Sequence, residues 1–490
     1  MNSASGRKTG IGIDFGTTNS AVALYDGEKV TLIKLEASGP IMPSATYIDR
    51  ALQTRTGQAA IDAYVESNTG RTVEFSAEVI GEENVFSDDN DGGGQRPIET
   101  VTRKVYGQSF NDAGLQGRLF RGTKRLLGKQ ELKRLMVFDH PFRLVALITP
   151  ILLRMRLSVD AFLASESEPA RQSDLPSQTD SCQRKSRASH GSLGHPVNFE
   201  GKGLHHNKLA LERLSEAYRH AGIIEQRFYP EPIAAAVSYL DVNPMAQGEL
   251  MLTVDFGGGT LDFCILRRNR SHFEVVATHG IGLGGDHIDQ RLFQELLFPL
   301  LGKGERWRRR GIDREIETQF PFEDYEELLL NWAVSYMLNQ NKYTTAVMDC
   351  IEQGGPNVHK FRRLRELIKQ NYGYLVFQAI KDFKARLSYA EEAVLDIPEI
   401  DVEVRLTRQQ FESMIEDLLQ QVATGVDDTL EKAGVTTGEI DLVLRTGGSS
   451  LIPAVRKLLE QRFTDKVVEH DPFTSVAAGL AIADYHGYSD

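Results

Sequence analysis

One pattern occurs twice in this chain, about half its length apart. Near the start the sequence reads TGIGIDFGTTNSAVALYDGEKVTLIKL, and much later ELMLTVDFGGGTLDFCILRRNRSHFEVVATHG. Each copy is a short apolar strand ending in Asp-Phe-Gly, a Gly/Thr turn, a second strand, a polar turn and a third strand. Asp26-Gly27 reads as a two-residue hairpin turn between the later strands of the first copy. A chain of 490 residues exceeds what one hydrophobic core supports. The repeat therefore predicts two related lobes, 1–244 and 245–490, each opening on a hairpin.

Helical patterns follow the hairpins, which makes the class α/β. Leu211, Leu214, Tyr218 and Ala221 share one helix face that Gly222 ends. Phe411, Met414, Ile415, Leu418, Leu419 and Val422 share another, opened by Thr407 and Gln410 as a capping box. Insertions are expected at about 50–120 in the first lobe and 286–400 in the second. Residues 80–97 read as a Gly/Asp-rich loop. Residues 303–375 read as mostly helical, with Trp332, Tyr336 and Leu338 as core. Residues 165–194 are polar, with Leu175 and Leu193 as the large apolar side chains, and no strand can be read there.

Charge narrows the function. A formal net charge of −12 disfavours nucleic acid and anionic membranes as partners. The basic run at 306–310 reads as a solvated helix end. The apolar stretch at 144–153 is too short to span a bilayer and contains Pro150. Residues 1–9 lack the apolar core of a signal peptide. Cys182, Cys264 and Cys350 stand far apart, without zinc or disulfide spacing, which fits a reducing cytoplasm.

The turns themselves carry the chemistry. Gly16, Thr17, Thr18 and Asn19 follow Asp14, and their backbone N–H groups and hydroxyls could cradle phosphate oxygens. Asp14 could hold the water shell of Mg²⁺. In the second copy, Gly257, Gly258, Gly259 and Thr260 follow Asp255. Three glycines between strands weaken a sheet unless something must approach the backbone. A protein-kinase reading of the Asp-Phe-Gly triplets fails, because no VAIK lysine or HRD loop accompanies them. Glu231 stands at the start of the helix that Pro232 opens, either as a cap or as a carboxylate near the metal. Gly447-Gly448-Ser449 and Gly284-Gly285 are further strand-to-helix turns where a ligand could lie against backbone.

In this order and spacing the pieces IGIDFGTTNS, FRGTKRLLGK, YPEPIAAAVSYL, VDFGGGTLDF, GIGLGGDHIDQRL and LRTGGSSLIPAVRKLL resemble the heat-shock-70 (DnaK-type) chaperone family over nearly the whole chain. The departures below look most like its YegD-like branch. The resemblance implies an actin-like (ribonuclease-H-like), two-lobed ATPase fold binding ATP or ADP with Mg²⁺. By it, Asp14 and Asp255 position the metal through water, and the two turns hold the phosphates. Lys124 matches the catalytic lysine; without the family it would pass as a surface lysine. Glu231, Asp255 and Asp262 match the catalytic carboxylates. Gly284, Gly285, Lys384, Gly447, Gly448 and Ser449 match the nucleoside side.

Three residues depart from the family. Leu451 and Ala385 stand where it carries arginines, and Lys381 where it carries a ribose-binding glutamate. The resemblance also implies a strand just before Gly194, which leaves 165–194 as either an insertion or a frame-shifted stretch. After Gly479 the family's linker and peptide-binding domain are not found. Protein clients or co-chaperones are the implied partners. Arg219 matches a J-domain-docking arginine or is simply an exposed helix residue. Trp307, Phe320, Phe322, Tyr325 and Trp332 either pack the helical insert or meet a partner. Three functions stay open: a slow ATPase, a nucleotide-sensing pseudo-enzyme, and a small-molecule kinase. The alanine-rich helix after Glu231 speaks against the kinase.

Overall fold

The computed structural model describes residues 9–73, 75–86, 100–112, 114–166, 188–201, 205–243, 246–269, 272–310 and 315–488. The chain divides into two compact units: Met1–Val65, Gly117–Pro299 and Leu375–Asp490 form one, and Glu66–Gln116 with Leu300–Tyr374 the other.

The first unit contains one sheet plan built twice. In the first copy β1 (Gly10–Phe15), β2 (Asn19–Tyr25) and β3 (Val30–Leu32) form an antiparallel meander. Helix α1 (Leu144–Glu166) leads to β4 (His190–His195), helix α2 (His206–His220) to β5 (Glu225–Pro230), and α3 (Glu231–Leu240) follows. The order is β5-β4-β1-β2-β3, with β4 and β5 parallel to β1. The second copy has the meander β6 (Leu250–Phe256), β7 (Leu261–Asn269) and β8 (His272–Ile281). Helices α4 (Gly285–Leu292), α5 (Gly373–Tyr389) and α6 (Glu416–Ala433) precede β9 (Leu442–Thr446). Then α7 (Pro453–Arg462), β10 (Val467–Glu469) and α8 (Ser475–His486) follow. Its order, β8-β7-β6-β9-β10, repeats the first strand for strand.

Strand β1 explains how helices and sheet fit. Ile11, Ile13 and Phe15 point into a core with Leu147, Ile151 and Leu214 of α1 and α2. On the other face a Cβ at Gly10 or Gly12 would collide with the α8 backbone at Ala481 or Ala477. Alternating glycine and isoleucine thus gives one packing face and one face on which a helix lies directly. Helices α3 and α8 approach equally closely, because a Cβ at Gly479 would meet the Ala234 carbonyl. The alanines after Glu231 are buried for this reason.

The structure corrects four sequence expectations. A strand does run through the polar stretch: β4 lies between β1 and β5. Leu193 adds the apolar weight, while buried Ser192 donates its hydroxyl to Asp484 of α8 at 3.3 Å. Residues 167–187 lie outside the described residues. The basic run is a strand, Arg306–Arg310, paired with Glu315–Gln319, and Arg306 meets Glu317 across the ladder at 3.0 Å. Opposite charges on facing strands support this pairing. The first part of 80–97 belongs to the strand Phe75–Phe86, paired with Thr100–Asp112, and residues 87–99 lie outside the described residues. The Asp26-Gly27 turn has four residues, since Tyr25 pairs with Val30. The Asp26 carboxylate accepts the N–H groups of Glu28 and Lys29.

In the second unit the aromatics fill their own core. Phe320, Phe322 and Tyr325 are fully buried, and the Phe320 and Phe361 rings stand 5.0 Å apart. Trp332 and Leu338 are buried as expected, and Tyr336 is half-buried. Among the described residues no helix is long and apolar enough to cross a membrane.

Candidate nucleotide site

The two hairpin turns meet in one cleft of about 460 Å³ within the first unit. Asp14 ends β1 and Asp255 ends β6. Each turn folds back at the following Phe-Gly, where Gly257 N–H bonds to Thr260 C=O at 3.0 Å. The turns approach until a Cβ at Gly258 would lie 2.9 Å from Thr18 Oγ1. A side chain at Gly258 would displace the Thr18 hydroxyl.

Two further turns lock onto the second one. Gly285 N–H donates to Gly257 C=O at 3.0 Å, and Asp286 N–H to Gly258 C=O at 2.7 Å. A Cβ at Gly284 would overlap the Gly258–Gly259 backbone. Gly284 thus supports the cleft from behind, while Gly285 lines it. Gly447 has a φ of +81°, and a Cβ there would press on Phe256 and Asp255. Ser449 donates its hydroxyl to Gly257 C=O at 3.3 Å. The sequence-expected Gly16, Thr17, Thr18, Asn19, Thr260, Gly448 and Ser449 all line this cleft.

Acidic groups gather on its floor. Asp14, Glu231, Asp255 and Asp262 line it together. Burial, then Glu231, pushes Asp14 up to about 7. Burial, then Asp262 and its acidic neighbours, pushes Asp255 up to about 8. Burial raises Asp262 to about 6, against the Thr260 hydroxyl that donates to it at 2.8 Å. Desolvated carboxylates in mutual repulsion form a place where a cation is favoured. Among the described residues no three acidic, His or Cys side chains are placed to grip a metal directly. Buried oxygen donors such as these four carboxylates would suit Mg²⁺, which keeps several of its waters.

Lys124 is buried rather than superficial, at 4% exposure. It sits in a short 3₁₀ turn, Thr123–Leu126, after Gly122 at φ +61°. Its ammonium forms an ion pair with Glu231. Next to it Arg125 covers the second turn: a Cβ at Gly259 would strike its guanidinium. Sequence reading passed over Arg125, although it adjoins the lysine already singled out. Arg219 is exposed in the last turn of α2.

At the other end of the cleft Lys384 Nζ meets buried Asp289 at 2.6 Å and Gly285 C=O at 3.1 Å. Lys381 Nζ lies 3.5 Å from Asp286. Leu451 and Ala385 line this end, and so do Tyr389 and Phe473, which the sequence reading missed.

Comparison with known proteins fits this geometry. A family model described as "Hsp70 protein" matches residues 10–121, 210–303 and 374–484. The chain is 24% identical over 480 residues to "Chaperone protein DnaK 3" of a Synechococcus species, covering 96% of this chain and 57% of that protein. It is 24% identical over 477 residues to "Heat shock 70 kDa protein BIP3" of Oryza sativa subsp. japonica, covering 97% and 56%. The chain therefore spans a little over half the length of these relatives. Lys124 falls just outside the first matched stretch, and most of the second compact unit falls between the later two.

Proposed function

The chain belongs to the Hsp70 family, with its actin-like α/β fold, and on that premise we propose that it binds ATP and ADP with Mg²⁺ and hydrolyses ATP slowly as a chaperone-like switch. The two sheets are read as the cores of two lobes, 1–244 and 245–490, closing on nucleotide. Protein clients or co-chaperones are the proposed partners. Buried free thiols at Cys264 and Cys350 support a reducing compartment such as the cytoplasm.

The observation that carries the reading is the meeting of Thr18 and Gly258 above a floor of four carboxylates. Backbone N–H groups and hydroxyls of the two turns hold phosphate oxygens. Asp14 and Asp255 would hold Mg²⁺ through water, and the metal would neutralise phosphate charge. Lys124, released from Glu231 or shared with it, faces the charge that develops on the transferred phosphoryl group. Glu231 and Asp262 accept hydrogen bonds from the attacking water. Phosphoryl transfer asks mainly for such positioning and electrostatics.

Calorimetry with ATP and Mg²⁺ tests the reading. One site per chain is expected, with Asp255→Ala weakening it by about 10–100-fold, as loss of a metal-orienting group does. Absence of binding at millimolar ATP would sink it. Turnover that requires a sugar acceptor would instead make the protein a small-molecule kinase.

A further inference from the structure

The end of the cleft remote from the carboxylates is lined by Ala385, Tyr389, Leu451, Ile452 and Phe473. Two of these are large aromatics left open to the cavity: Tyr389 is 77% exposed and Phe473 52%. Phe473 is held in place. Phe473 N–H donates to Asp471 Oδ1 at 2.9 Å, and the same carboxylate takes the Thr474 N–H at 3.0 Å. The Phe473 ring lies against Gly448, where a Cβ would come within 2.8 Å of Cε1. Glycine at 448 therefore makes room for that ring beside the phosphate-side turn. Tyr389 is the last residue of α5, one turn after Ala385. Helical side chains lean toward the N-terminus and cover the preceding turn. The methyl of Ala385 leaves that turn free for the tyrosine ring.

The polar side chains at this end are turned to protein. Lys384 engages Asp289, Lys381 approaches Asp286, and Ser388 donates its hydroxyl to Lys384 C=O at 3.4 Å. Beside these mutually paired groups, which also border the cleft, the end offers a ligand aromatic face and aliphatic carbon. A site discriminates strongly between similar ligands when buried hydrogen-bonding groups would be left unpaired by the wrong one. Stacking faces impose no such penalty, because every base has a π-face.

We infer that Phe473 and Tyr389 form a stacking platform for the nucleobase, and that the site takes nucleoside triphosphates with little regard to the base, ATP and GTP alike. This rests on the nucleotide reading of the same cleft. The phosphate turns supply the affinity common to all such ligands, and the two rings add a base-tolerant increment of about tenfold each.

Competition binding on the full chain with Mg²⁺ tests it, using ATP, GTP and inorganic tripolyphosphate as probes. ATP and GTP are expected within about fivefold of each other, and tripolyphosphate about 100-fold weaker, the two rings' increments together. Phe473→Ala and Tyr389→Ala should each weaken both nucleotides about tenfold and leave tripolyphosphate unchanged, with Phe473→Trp restoring the loss. Both positions are exposed, so thermal melts should report intact folds. If GTP binds more than about 100-fold more weakly than ATP, beyond what an apolar pocket discriminates, the platform is overturned while the nucleotide site stands. The same follows if the alanine variants keep full affinity. If none of the three probes binds the parent protein, the nucleotide reading and the platform fall together.

Discussion

Around Gly257–Gly259 the neighbours are other backbone segments, small hydroxyls and the Arg125 guanidinium, whereas Phe473 and Tyr389 are themselves exposed side chains. At the phosphate end Gly284, Gly285 and Gly447 press against the turn, and no Cβ fits at Gly284 or Gly447. Main-chain hydrogen bonds of 2.7 and 3.0 Å fix the spacing. At the base end Ala385, Leu451 and Lys381 differ from the pattern the family motifs imply, yet the fold there is intact. A wall of packed backbone dictates its residues. A wall of exposed side chains can change its chemistry without disturbing the structure behind it.

The largest effect should come from the phosphate end. Lys124→Ala removes a buried cation that, on the proposed reading, faces the developing charge. Turnover is expected to fall about 10²–10³-fold, while the Kd for ATP stays within about threefold, since a group acting on the transition state changes rate more than ground-state affinity. Single-turnover kinetics alongside calorimetry separate the two. Equal, non-zero turnover in variant and parent would make Lys124 merely structural, whereas no turnover in the parent would make the protein a nucleotide-sensing pseudo-enzyme.

How far the sequence revealed each end follows from the same contrast. Glycines forced by backbone contact appear as motifs, so Asp14–Asn19, Asp255–Asp262 and Gly447–Ser449 were readable residue by residue. The duplicated sheets were readable too, because β1 and β6 are both short apolar strands that end in Asp-Phe. Strand β4 was not. Its burial rests on glycines and on a Ser192–Asp484 contact between residues far apart in the chain, which local periodicity cannot register. The Arg306–Arg310 strand was hidden because its partner strand, not its composition, makes it a strand. Tyr389 and Phe473 gave no signal, since an exposed aromatic has neither a pattern nor a forced spacing. Lys124 needed the family motif: nothing local distinguishes a buried lysine from a surface one.

An intermediate effect concerns pH. In the nucleotide-free protein Asp255 is raised to about 8 and Asp14 to about 7, both from 3.8. The folded state then holds more protons than the unfolded one across this window. Their contribution to stability is complete below about pH 4 and is lost as pH climbs toward 8. Melting temperature without nucleotide should therefore decline between pH 5 and pH 9, less steeply in Asp255→Asn, which cannot ionise. Magnesium with ATP should remove most of the parent's decline, because a cation replaces the proton. Identical slopes for parent and variant would show that the carboxylates are not desolvated as the cleft implies. The base end has no counterpart to this behaviour.

The smallest expected effect sharpens the comparison from the other side. Leu451 closes the 3₁₀ turn Gly448–Leu451 and borders the cleft. Leu451→Arg puts a guanidinium where the family motif has one. A cation over an aromatic face contributes about 0.5–2 kcal/mol, the higher value when desolvated. This end of the cleft is open and already offers two rings, so the gain for ATP should be at the low end, about threefold. GTP should gain equally, because the interaction acts on the π-face and not on the base edge. The added charge also attracts triphosphate at a distance, and tripolyphosphate measures that part. Repeating the titration at higher salt, where the Debye length shrinks below about 8 Å, removes most of it. A salt-insensitive gain above about 30-fold, beyond the usual range for such contacts, would mean that Phe473 and Tyr389 leave the base unstacked in the parent protein. No gain at all would mean that the base does not reach residue 451, and that the open end of the cleft is wider than its ligand.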